Sequence, residues 1–333
     1  MTTPDETRRP PVEPGRFTAR SPEDLIAFVP VALGFRPEES VTMLTFGGPR
    51  PFHARLDLPA EVDEVDDVVR TLLPPVREHQ VEQVVFVLFA DDTGVADELA
   101  WALADAFTAA GIGLIDVLRV HGDRWFPVLP GHPPEHYAGV PLPPGPHPFA
   151  VRSVVEGRVT LGSREELRDS LRPDPGGVAR VVAAAAGPEA PGRLSRVGAV
   201  ASFVRRHVAD GIRCDDVGVA ALAAAIADPA RRDEAWSVLQ RSEAAAHVEL
   251  WRDVVRRCPD ELVAAPAAVL ALSAWLSGNG ALAWCAVDRC REVEPGHSLA
   301  GLVAEILQSA TAPSVWDEVR GALGGGDRRE GAA

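Results

Sequence analysis

Seven consecutive apolar residues, Val84 to Ala90, constrain this chain more than any other feature. A strand with one wet face alternates apolar and polar side chains, whereas a strand with no polar position needs cover on both faces. A sheet flanked by helices on both sides follows. The surrounding sequence supplies the parts. Ser21-Pro22-Glu23-Asp24 opens a helix, with a hydroxyl for the first amides, proline at N1 and acids at the positive end of the dipole. Pro30 is expected to interrupt this helix and Gly34 to stop it. Val41–Phe46 and Phe52–Leu58 read as two strands around a glycine-bearing turn, with His53, Arg55 and Asp57 on one face of the second. Amphipathic helices at 62–72 and 95–110 and strands at 114–120 and 125–129 complete the order α, β, β, α, β, α, β, β. That order specifies a mixed sheet with packed helices.

The pattern then changes. Eight of the nineteen residues from 130 to 148 are proline, which reads as a long loop. After Ser163, which opens a capping box with Glu166, strand signals stop. Amphipathic stretches follow at 195–209, 216–227, 231–241, 243–257, 266–277, 280–293, 298–309 and 313–322. The expected fold is therefore an α/β (α+β) half with a mixed sheet and flanking helices, then an all-helical half. The corresponding divisions are a tail at 1–16, a sheet domain at 17–129, a connector at 130–162, a helical domain at 163–323 and a tail at 324–333. Within the helical domain, Gly278-Asn279, Ala283, Cys290 and Pro295 resemble the turn glycine, small packing residues and closing proline of a tetratricopeptide-type hairpin at 266–294.

Charge narrows the function. All 33 basic residues are arginine and the net charge is −15. The absence of lysine excludes P-loop, Schiff-base and kinase-type chemistry. The acidic balance disfavours nucleic acid and anionic membranes as partners. Met1–Arg16 lacks the apolar core of a signal peptide, and the apolar run Leu262–Leu276 is short for a span, so a cytoplasmic location is expected. The four cysteines, Cys214, Cys258, Cys285 and Cys290, form no C-x-x-C and read as buried hydrophobes.

Several segments resemble an uncharacterised actinobacterial family, domain of unknown function 4192. They are Ser21 to Leu25, Leu33-Gly34-Phe35-Arg36-Pro37-Glu38-Glu39-Ser40, Arg55 to Pro59, Asp91-Asp92, Gly122 to Trp125, Glu156 to Arg158 with Ser163 to Glu165, and Trp275 to Ala300. The Gly-Phe-x-Pro-x-x-Ser element is the most distinctive. The resemblance implies kinship and brings no activity with it. Relatives often carry cysteines beside the position of Trp125, where this chain has Gly131-His132-Pro133-Pro134-Glu135.

The candidate ligand residues are Arg36, Ser40, Arg55, Asp57, Asp91 and Asp92, all expected at the rim where an open α/β sheet binds ligands. Each also has a structural reading. The Gly34–Ser40 segment suits a helix stop and strand start, Asp92 or Thr93 suits a helix cap, and Arg55 with Asp57 suits an ion pair. His132 and His136 have ligand-like spacing, but Pro133 and Pro134 oppose the helix that would aim both at one metal. No metal and no cofactor is expected. Gly278-x-Gly280-x-x-Ala283 matches a dinucleotide fingerprint but lacks the preceding strand. No catalytic constellation is recognisable. The leading expectation is a non-catalytic interaction or scaffold protein that meets a protein partner through its helical half. The alternative is a small-molecule-binding protein or enzyme with its site at the sheet rim. The oligomeric state stays open.

Overall fold

The computed structural model describes residues 18–49, 52–156, 160–188, 192–318 and 320; the two tails expected at 1–16 and 324–333 lie outside them. The chain begins with α1 (Pro22–Leu33), capped by Ser21 and closed by Gly34 in the left-handed region, φ 80°. Pro30 does not interrupt this helix. Its missing N–H costs one bond, and its carbonyl accepts the Gly34 N–H that ends the helix at 2.9 Å. There follow β1 (Ser40–Phe46), β2 (His53–Asp57), α2 (Val65–Glu78), β3 (Gln83–Phe89), α3 (Thr93–Ala109), β4 (Gly113–His121) and β5 (Arg124–Pro127).

The proline-rich stretch is more regular than its composition predicts. It holds a short 3-10 turn over Pro134–Ala138, then β6 (Val140–Pro141), paired with β5 at the sheet edge. Proline is tolerated there because an edge strand leaves donors unused. A further helix, α4 (Pro148–Val155), lies within the expected connector and packs beside α1.

The six strands run in the order β2-β1-β3-β4-β5-β6. β3 and β4 are parallel and the other pairs antiparallel, giving the expected mixed sheet. Val84, Phe86 and Leu88 of β3 pack with α2 and α3, while Val85 and Val87 pack with α1. Both faces of the apolar run are thus covered.

The helical half comprises α5 (Arg164–Asp169), α6 (Pro175–Ala185), α7 (Ala199–Asp210), α8 (Asp216–Ile226), α9 (Pro229–Ser237), α10 (Ala244–Arg257), α11 (Ala264–Leu276), α12 (Gly280–Val293) and α13 (Ser298–Gln308). Every residue of α11 is buried. Around it, Trp251 and Cys258 are fully covered, and Trp236, Trp275 and Trp316 meet edge to face. Arg257 is buried too, held by Asp216, Asp253 and the Cys214 carbonyl, so α10 is tied to α8 by a satisfied charge network.

The two halves meet where His79 of the sheet half contacts the Ser309 carbonyl at 2.9 Å, and again at a seam in the segment that follows α1. Phe35, 1% exposed, leaves the sheet domain and belongs to the helical core. Its backbone bridges Leu161 through Arg36 N–H to the Leu161 carbonyl and Leu161 N–H to the Gly34 carbonyl, at 3.0 and 2.9 Å. A Cβ on Gly34 would sit 3.6 Å from Asn279, the residue that caps α12 through the Leu282 N–H. The Gly34–Ser40 segment and the Gly278-Asn279 turn, far apart in sequence, meet here.

Candidate functional site

Register sets the sheet rim. Ser40 pairs with Asp57 on one side and Phe89 on the other, and Phe89 pairs with Val120. Asp57, Asp91, Asp92 and His121 therefore gather at one end of the sheet with Ser40. Their side chains are largely committed. Asp92 caps α3 by accepting the Gly94 N–H at 2.7 Å. The Asp91 carboxylate meets His121 at 3.1 Å, and its N–H donates to Glu39. Glu39 holds an unfavourable φ of 36°, and its carbonyl accepts the Leu58 N–H. Arg55 pairs with Asp57 at 2.5 Å, donates to the Glu38 carbonyl and lies 5.9 Å from the Phe35 ring. Asp57 also faces Arg164 of α5 across the seam at 3.6 Å. Arg36 is exposed and contributes its backbone to the seam.

Ser40, Arg55 and Asp57 thus share a face, while Asp91 and Asp92 serve the neighbouring loop and Arg36 stands apart. Three buried polar atoms on that face have no hydrogen-bond partner: Ser40 Oγ, Thr42 Oγ1 and Arg55 Nε. Thr42 pairs directly with Arg55.

The histidine pair resolves differently from a metal site. His132 engages Asp116 at 3.1 Å, and both imidazoles sit edge-on to Trp125, with ring centroids 6.2 Å apart. Among the described residues, no three His, Cys, Asp or Glu side chains are placed to hold a metal. Burial pushes the thiols of Cys214, Cys258 and Cys290 up to about 12, so they are protonated and unreactive at neutral pH.

Two concavities lie in the helical half. One, of about 370 Å³, is formed by α6, the 192–195 segment and α8, and is lined by Ala185, Leu194, Ala220, Ala221, Ala224 and Ala225 with Arg231 at its edge. The Arg231 guanidinium is already bound to the carbonyls of Ser195 and Arg196 and to Glu234, so the groove itself is apolar. Val182 on α6 and Val197 beyond the segment are exposed at 50% and 91%. A second, of about 330 Å³, lies at the N-terminal end of α8, lined chiefly by Arg193, Arg206, His207, Arg213, Asp210 and Asp215.

Sequence reasoning missed this surface. α6 mixes valine, alanine and glycine, buries only Gly177 and Val181, and was not among the expected helices; Pro175 at its first turn was the available clue. The tryptophans of the helical half are buried or half-buried, and the exposed one is Trp101 of α3, at 46%.

With fold and geometry in place, comparison gives one family. The model for Domain of unknown function (DUF4192) matches residues 22–314, and the chain belongs to that family. No curated protein and no solved structure matches it. Among the described residues, no helix is long and apolar enough to cross a membrane.

Proposed function

We propose that this is a non-catalytic interaction protein that docks a segment of a protein partner in the apolar groove between α6 and α8. The observation that carries the reading is an open concavity of about 370 Å³ lined mainly by five alanines and Leu194, with Gly192, Ser195 and Arg231 completing it. Small side chains let a partner backbone approach closely, and uncovered apolar area is what association removes from water. The tetratricopeptide-like hairpin plays no part, because α11 is enclosed on all sides. The inert cysteines and the internally spent carboxylates at the rim favour binding over catalysis. Site-specific photo-crosslinking in the native host tests this. A photoreactive residue at Val182 should trap one discrete protein, and the same residue at Asp91 should not; adducts at Asp91 alone would remove the groove reading.

A second reading, a small-molecule site at the rim, draws on Ser40 Oγ, Thr42 Oγ1 and Arg55 Nε, which are buried without partners. A bound hydroxyl or water would satisfy them. Under this reading Thr42→Val removes a ligand-binding group, and metabolite-induced thermal stabilisation seen for the parent chain should vanish in the variant.

A further inference from the structure

The groove and the arginine-rich concavity adjoin. Gly192, Leu194 and Ser195 line the first, while Arg193 between them lines the second. α8 connects them as well: Asp215, its cap, borders the arginine-rich concavity, and Ala220 to Ala225 border the groove. At about 1.5 Å per residue, the path from Asp215 to Ala225 is roughly 15 Å, a distance spanned by about five residues of extended chain.

The charges at the near end are anomalous for a chain of net charge −15. Three guanidiniums and two carboxylates line this concavity, with Asp253 beside Arg213 as a third carboxylate, so it is rich in arginine and close to balanced in charge. Asp215 accepts the Gly218 N–H at 2.6 Å and meets Arg193 only at 3.7 Å. Arg213 pairs with Asp253 at 2.8 Å. Arg206 lies 5.8 Å from the Phe203 ring centroid. His207 bonds the Phe203 carbonyl through Nδ1, leaving Nε2 as its second polar atom. Ile212, 60% exposed, adds an apolar lip.

We propose that the groove's occupant is an acidic-apolar peptide segment of a partner protein, with aliphatic side chains against the alanine wall and Asp or Glu side chains about five residues away, in the arginine concavity. This rests on the groove reading above and names the partner chemistry of that same surface. Guanidiniums recognise carboxylates through paired, directional hydrogen bonds, so the arginines set orientation and selectivity while apolar burial supplies attachment. The overall negative charge is no obstacle at contact range, because solution ions screen distant charges within about 8–10 Å.

The test uses the full chain, immobilised and panned against a random dodecapeptide library displayed on phage. Enriched peptides are then titrated in solution against the parent protein, Ala224→Trp, and the double variant Arg193→Glu with Arg206→Glu. All three altered positions are exposed, and circular dichroism verifies folding. The expected result is enrichment of Asp and Glu within about five residues of aliphatic pairs, loss of binding in Ala224→Trp, and at least a tenfold weakening in the double variant. Peptides without acidic bias that lose binding in Ala224→Trp but keep it in the double variant would overturn the acidic specificity and leave the groove standing. No enrichment, or peptides indifferent to Ala224→Trp, would overturn both.

Discussion

The sheet rim and the helical groove dispose of their side chains in opposite ways. At the rim, Asp92 caps a helix, Asp91 holds His121, Glu39 holds the Asp91 amide, and Arg55 holds Asp57. In the groove, alanines, a leucine, Gly192 and Ser195 line an open hollow with Arg231 at its edge. The rim is rich in chemically capable groups, most of them occupied, although Ser40 Oγ, Thr42 Oγ1 and Arg55 Nε lack partners; the groove is poor in chemistry and open. Functional residue types at a favourable topological position are therefore a weaker guide than side chains left without an internal task.

That contrast can be broken at its strongest point by Phe35→Ala. If the rim segment is a structural seam, removing a ring that is 1% exposed in the helical core should cost about 3–5 kcal/mol. Urea unfolding should show both halves destabilised together. A stability within error of the parent would mean that the seam is not a packed junction.

Acid should act next, in part through a buried histidine of the helical half. His247 of α10 is 1% exposed, and burial lowers its pKa from 6.5 to about 4. Below pH 6.5 the unfolded chain binds a proton that the folded chain refuses. Stability is therefore fully present above that pH and falls as pH drops towards 4, by about 3 kcal/mol over the whole span. His247→Leu should flatten this part of the stability-versus-pH curve; an unchanged slope would show that the imidazole is not the source.

Smaller effects sharpen the rim's side of the comparison. Asp92→Ala removes the α3 cap and should cost about 1 kcal/mol, measured by thermal unfolding, with no change in partner binding. Asp57→Asn alters a carboxylate whose side chain is 69% exposed and should change stability by less than about 1 kcal/mol. Loss of partner binding in either variant would return function to the rim.

Much of the fold was legible because its signals were local and unambiguous. The Val84–Ala90 run implied two-sided cover, and the caps at Ser21, Asp92 and Ser163 mark observed helix starts. Pro30 misled because one lost hydrogen bond is tolerated inside a packed helix. β6 was hidden because a two-residue edge pairing leaves no periodicity to read. α6 and the groove were hidden for a related reason: alanine serves equally in a core, on a surface and along a groove, and only tertiary packing distinguishes these. The roles of Phe35 and Asn279 depend on a junction between distant segments, which no local pattern encodes.

The central claim is that binding belongs to the groove and not to the rim. Hydrogen exchange on the full chain, with and without a saturating library-selected peptide, tests it most directly. Protection concentrated in 175–185, 192–195 and 215–226 is the predicted result. Protection concentrated in 36–42, 55–58 and 89–93, with the groove unchanged, would contradict it.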